Sequence, residues 1–187
     1  MVKVGFAVMI CLLGCPSIIS VSSTLIAASV SRVYNKPGVF SSPNRACEAS
    51  LKISEMGGFL NLFICRQSGK CVDPDVAKDV TGIAWLNGNN LVYTVSPIYG
   101  KPGIFLLTCA SGKTKRIIGP KTINKAYPDG ADYFELQGAS SSDSKIYFYY
   151  APDIDLVDFN KFRSREFLYE VRLDGAGFGK ARIKGSR

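Results

Sequence analysis

The sequence predicts an all-β protein built from antiparallel hairpins, and three observations carry that expectation. Aromatic residues make up 11% of the 187 positions, with 9 Tyr and 11 Phe against a single Trp. Flat and β-branched side chains fit a pleated surface better than a helix. Apolar and polar residues alternate with a period of two, as in Glu48-Ala49-Ser50-Leu51-Lys52-Ile53, the pattern of a half-buried strand. Hairpin punctuation recurs, most clearly at Leu86-Asn87-Gly88-Asn89-Asn90, because Asn and Gly accept positive φ at little cost.

The chain begins with Lys3 behind the start methionine, an apolar run from Val4 to Gly14, and a stop at Leu12-Leu13-Gly14-Cys15. A short basic start, an uncharged core and a small-residue exit describe a secretory signal peptide over residues 1–14. A cysteine directly after Leu-Leu-Gly resembles a bacterial lipobox, which implies acylation of Cys15 and attachment to the outer membrane facing the periplasm. Two alternatives stay open. Cleavage near Ala27-Ala28-Ser29 would leave a soluble periplasmic protein. An uncut apolar segment over residues 4–28 is long enough to anchor in the inner membrane, although Pro16 and the Ser/Thr cluster of residues 20–24 weaken such a helix. Residues 15–43 read as a linker, Ser-, Pro-, Gly- and Asn-rich from 31 onward, and residues 44–187 as the β domain. Removing the leader leaves roughly 160 residues, enough for one sizeable core.

Three hairpin units follow. The first has strands at 48–53 and 59–65 around a Met56-Gly57-Gly58 turn and closes on Ser68-Gly69-Lys70. The second has strands at 82–85 and 91–95 around the Asn-Gly turn. A Pro/Gly loop over 97–102 leads to a strand at 103–109, which closes on residues 111–117. The third has strands at 133–137 and 145–150 around Ser141-Ser142-Asp143-Ser144 and an insertion over 151–165 with room for a short helix. A strand at 167–173 ends on Asp174-Gly175, and an edge strand is expected at 180–184, whose charges discourage edge pairing.

The stretches Phe40-Ser41-Ser42-Pro43-Asn44, Ile83-Ala84-Trp85-Leu86-Asn87-Gly88 and Ile104-Phe105-Leu106-Leu107 carry parts of a known repeat pattern. An aromatic strand end is followed by a Ser-Pro-Asn/Asp-Gly type turn, then strands, then Ser-Gly-Lys. These units resemble blades of the TolB-like, WD40-like β-propeller repeat over most of residues 38–184. The resemblance implies propeller-like blades, and closed propellers need about four to eight of them. Three units imply an open or partial array; the alternative is a β-sandwich made of the same hairpins. The third unit departs from the pattern in lacking the Pro and Gly of the turn.

The chain contains no histidine. That removes Ser-His and Cys-His nucleophile systems and most zinc sites. Gly112-Lys113-Thr114 lacks the glycine five positions earlier that a phosphate loop needs, since Leu107 stands there. The lysines of Ser68-Gly69-Lys70 and Ser111-Gly112-Lys113 lie in turns, where a solvated amine is no base for serine. Asp153, Asp155 and Asp158 are interleaved with Ile154, Leu156 and Val157, unlike the small polar residues of calcium loops. No catalytic residue, metal ligand or cofactor is therefore expected.

Beyond the leader stand Cys47, Cys65, Cys71 and Cys109, which allow two disulfides by three pairings. Cys65 and Cys71 flank a turn, so their pairing is locally feasible. The net charge of +8 fits solubility or contact with an anionic surface, lipid headgroups or an acidic partner. An exported protein rarely meets nucleic acid, and none is expected as a partner. Candidate binding-surface residues are Tyr147 and Tyr149, on one face of an aromatic strand, and Lys113, Lys115 and Arg116 in a basic stretch that continues through Lys121 and Lys125. The functional expectation is a non-enzymatic cell-envelope binding protein that contacts another protein, an inhibitor or immunity protein within that class. The alternative is an envelope hydrolase using carboxylates on a glycan or peptide.

Overall fold

The structure, a computed structural model, describes residues 30–54, 60–72, 78–95, 101–120, 132–152, 162–163 and 167–181. Within them the chain forms β1 (Val33–Tyr34), β2 (Gly38–Ser41), β3 (Cys47–Ile53), β4 (Leu60–Arg66), β5 (Cys71–Val72), β6 (Val80–Trp85) and β7 (Asn90–Val95). There follow β8 (Gly103–Thr108), β9 (Lys113–Ile118), β10 (Tyr133–Ser140), β11 (Lys145–Ala151), β12 (Leu168–Arg172) and β13 (Gly179–Lys180). All pairings are antiparallel and fall into three sheets: β2-β3-β4-β5, β1-β6-β7-β8-β9 and β10-β11-β12-β13. Apart from β1, each sheet is a four-stranded meander in chain order, the build of a propeller blade.

The sheets stack face to face. Ala49, Leu51, Leu62 and Ile64 of the first sheet pack against Ile83, Trp85, Leu91, Tyr93, Phe105 and Leu107 of the middle sheet. Ala84, Val92, Ile104 and Ile118, on the other face of the middle sheet, pack against Phe134, Leu136, Ile146, Phe148 and Val171 of the third. The middle sheet is thus covered on both faces, which is why Leu91-Val92-Tyr93-Thr94-Val95 is buried throughout and reads as a continuous run. In β3 one face is buried and the other accessible, and there the sequence alternates. Three stacked layers in an open array replace the two-layer sandwich alternative.

Three local devices join the sheets. The indole Nε1 of Trp85 donates to the Phe40 carbonyl at 3.1 Å. A bulge between Val80 and Gly82 turns Thr81 out of the ladder, so that its hydroxyl pairs with Thr94 at 2.7 Å and reaches the Phe134 carbonyl at 3.1 Å. The segment before β2 also takes part. Residues 33–41, expected as linker, form β1 and β2. The Ser31 amide donates to the Ala139 carbonyl at 2.9 Å, and Val30 lies where a Cβ on Gly138 would collide with it. A two-residue strand paired with a segment some fifty positions away carries no local signal, which is why alternation did not reveal it.

The third-unit turn, which lacks Pro and Gly, is built from serine. The Asp143 amide donates to Ser140 Oγ at 3.2 Å, the Ser140 and Ser142 hydroxyls share a 3.1 Å bond, and Ser144 takes φ 53°. The insertion over 151–165 lies mostly outside the described residues. Phe162 within it is fully buried against Tyr149 and Leu168. The last strand is Gly179–Lys180, which meets the expected 180–184 strand only at Lys180; residues 182–184 lie outside the described residues.

Candidate binding surfaces

The outward face of the third sheet is built by alternation along β10 and β11. Tyr133 and Glu135 of β10 share it with Tyr147 and Tyr149 of β11. Phe162 caps part of it, meeting Tyr133 and Tyr149 edge-on with centroids 5.4 and 5.7 Å away. Tyr149 is consequently only 7% exposed, and burial pushes its phenol pKa up. Tyr147 is half-buried, opposite Glu170 in the β11–β12 register, and burial raises its pKa also.

Two ion pairs frame this face. Arg163 Nε donates to both oxygens of Glu135, at 2.9 and 3.3 Å, a bond that raises the guanidinium's pKa. Lys145 Nζ donates to Glu170 Oε1 at 2.7 Å, and that bond raises the ammonium's pKa. Both carboxylates are committed to cations. The face offers an aromatic and charged surface with no pair of free carboxylates between Glu135 and Glu170.

Lys113, Lys115 and Arg116 lie on β9, the edge strand of the middle sheet, and all three are exposed. Lys115 pairs with Leu106 and Arg116 with Phe105, whose side chains point into opposite cores. The two cations therefore leave the strand on opposite faces. The Arg116 guanidinium lies over the Phe105 ring at 6.0 Å and donates to the Pro102 carbonyl at 3.2 Å, while Lys113 and Lys115 share the side facing the third sheet. The structure thus does not gather the five candidates into one patch. It places Tyr147 and Tyr149 on the outer face of one sheet and the cations on the edge of another. The sequence showed which residues share a strand face but not which sheet covers which.

The four cysteines form two disulfides, Cys47–Cys109 and Cys65–Cys71. The first joins the start of β3 to the end of β8 and is buried, at 4% and 0% exposure. The second closes the β4–β5 hairpin on the outward face of the first sheet, with Cys71 exposed. Cys15, Lys121, Lys125, Asp153, Asp155 and Asp158 lie outside the described residues. Among the described residues, no group of three or more His, Cys, Asp or Glu is placed to hold a metal ion, and no helix is long and apolar enough to cross a membrane.

No protein-family model matches the chain, and no curated protein matches it. Among solved structures it is similar to a TolB from Agrobacterium tumefaciens, at 15% identity and a TM-score of 0.48, over 78% of this chain and 50% of that one. It is also similar to TolB from Acinetobacter baumannii, at 13% identity and a TM-score of 0.40, over 83% of this chain and 33% of that one. The chain spans half or less of the length of these two structures.

Proposed function

We propose that the chain is an exported, non-enzymatic binding protein of the cell envelope, held to the outer membrane through an acylated Cys15 and contacting another envelope protein from the periplasmic side. The observation that supports this most is the buried Cys47–Cys109 bond between two stacked sheets. Such bonds form and persist in oxidising compartments and are rare in reducing ones. A core that encloses one fits an exported protein, in keeping with the basic and apolar leader. The absence of histidine from the sequence and the commitment of Glu135 and Glu170 to ion pairs favour binding over hydrolysis. The contact surface is Tyr147 with the third-sheet face; Lys115 and Arg116, on the edge strand β9 and outside that patch, act as steering charges at a distance. Tyrosine offers large contact area at low entropic cost, and rim cations act mainly on the association rate. An inhibitor or immunity protein is the most specific form of this reading.

The test is capture of partners from intact envelopes with the mature protein as bait. Tyr147→Ala is expected to weaken capture of the principal partner about tenfold or more. Lys115→Glu is expected to slow association, with an effect that fades in high salt. Equal capture by wild type and both variants would contradict the assigned surface.

A further inference from the structure

The N-terminal tether leaves the β domain at one particular end. β1 runs antiparallel to β6, with Val33 opposite Ala84 and Tyr34 opposite Ile83, so the chain preceding Val33 heads toward the β6–β7 turn. Ser31 is held there at Ala139, beside the β10–β11 turn. The turns of the first two sheets at that end form one continuous surface. The Asn44 side chain lies against Gly88, and the Gln67 amide donates to the Ala46 carbonyl at 3.0 Å. The Cys109 amide donates to the Asn89 carbonyl at 2.8 Å, and the Ala110 amide to Asn89 Oδ1 at 2.8 Å.

These turns, residues 42–46, 67–70, 86–89 and 109–113, carry Arg45, Lys70 and Lys113 and no carboxylate. All three cations are exposed, and none is paired with a described carboxylate. Arg32, also exposed, marks the point where the tether leaves. Arg45 holds a left-handed φ of 57°, a conformation that Gly or Asn occupies at lower cost. A cation kept where a smaller residue fits better points to the charge itself as the property in use. The remaining exposed side chains of these four turns, such as Asn44, Ser68, Asn87 and Ser111, are small and polar; the adjoining turns of the third sheet add Asp143 and Asp174, the latter paired with Arg172. The large exposed apolar residues of the described chain, Val39 and Ile53, lie outside these turns. Protein hot spots are aromatic and desolvated, whereas a flat, cationic, hydroxyl- and amide-rich surface suits phosphate-bearing headgroups.

We infer that this turn end is a membrane-facing surface, and that Arg45, Lys70 and Lys113 contact anionic lipid headgroups while the tether holds the domain close. Residues 16–30 span at most about 50 Å even fully extended, so an anchor at Cys15 keeps this end within reach of the bilayer. The inference rests on the anchored reading above, but its chemistry is tested without the anchor. The chain without its leader and lipid site, residues 16–187, is sedimented with vesicles of phosphatidylglycerol and phosphatidylethanolamine, and with vesicles of phosphatidylcholine alone. The expected result is binding to the anionic vesicles only, lost in 1 M salt. The R45Q/K70Q/K113Q variant is expected to bind about 100-fold more weakly, at about fivefold per cation, while Lys101→Gln and Lys180→Gln bind as before. Unchanged binding by the triple variant, equal binding to phosphatidylcholine, or loss of an acidic protein partner without loss of vesicle binding would overturn the inference. Failure of Cys15 acylation, read separately by mass, would overturn the anchor and leave this result standing.

Discussion

Single residues decide how the two disulfides differ. Cys47 and Cys109 are 62 positions apart and enclosed in the core, whereas Cys65 and Cys71 are 6 apart at the surface. On a chain-entropy argument the long closure stabilises by about 4 kcal/mol and the short one by about 2 kcal/mol. Replacing Cys47 and Cys109 together by Ala is therefore expected to lower stability roughly twice as much as replacing Cys65 and Cys71, as read from denaturant midpoints. Equal losses would mean that the long bridge does not hold the two sheets together. The composition made disulfides an expectation, and the turn between Cys65 and Cys71 made that pairing feasible. Nothing local could join Cys47 to Cys109, because their proximity is created by the stacking of two sheets. The same limit applies to Tyr149. Alternation placed it beside Tyr147, but its cover comes from Phe162, thirteen positions along the chain and in no periodic relation to it.

At the scale of elements, the sequence was most readable where turns carry chemical signatures. The Asn87 side chain accepts from the Asn89 and Asn90 amides at 2.9 and 2.8 Å, and Gly112 occupies φ 70° in the β8–β9 turn. Both turns were legible as punctuation, and the strands between them followed from alternation and apolar runs. Less legible was β1, whose placement depends on a close approach. Gly138 leaves room for Val30, and the Ser31 amide bonds to Ala139 beside it. Gly138→Ala is expected to destabilise the fold by about 1–3 kcal/mol through overpacking. In a Val30→Ala background the penalty should shrink, since the colliding methyls are gone. A double-mutant cycle that shows no coupling would contradict the docking of the N-terminal segment against β10.

Over the whole molecule, three blade-like sheets form a stable stack without closing a ring because the two ends of the stack are finished differently from its middle. The outer face of the first sheet carries Glu48, Ser50, Lys52 and Asn61, and Lys52 lies over the Phe63 ring at 5.1 Å. The outer face of the third sheet is capped by Phe162 and framed by ion pairs. Stacked repeats need such polar or covered terminal faces to stay soluble. The density of buried phenols sets a pH limit on this stack. Burial pushes the Tyr93 pKa up to about 12 and raises those of Tyr133, Tyr147 and Tyr149. An acid whose folded pKa is raised keeps its proton while the unfolded chain loses it. Stability therefore falls as pH rises from 10 toward 12, by about 2 kcal/mol for Tyr93 alone. Lys145 acts in the same direction, since its raised pKa gives a contribution present below its unfolded pKa and lost as pH rises through the folded one. Thermal melts are expected to be flat across neutral pH in respect of these groups and to drop steeply above pH 10; a flat profile to pH 12 would contradict the burial of Tyr93.

The proposed anchored, oxidised protein outside the cytosol joins the leader, the paired cysteines and the tether end into one description. Intact mass analysis of the molecule recovered from envelopes tests it most directly. The account predicts a chain beginning at an acylated Cys15 whose remaining four cysteines are all oxidised. Full-length molecules starting at Met1, with free thiols and no lipid, would contradict it.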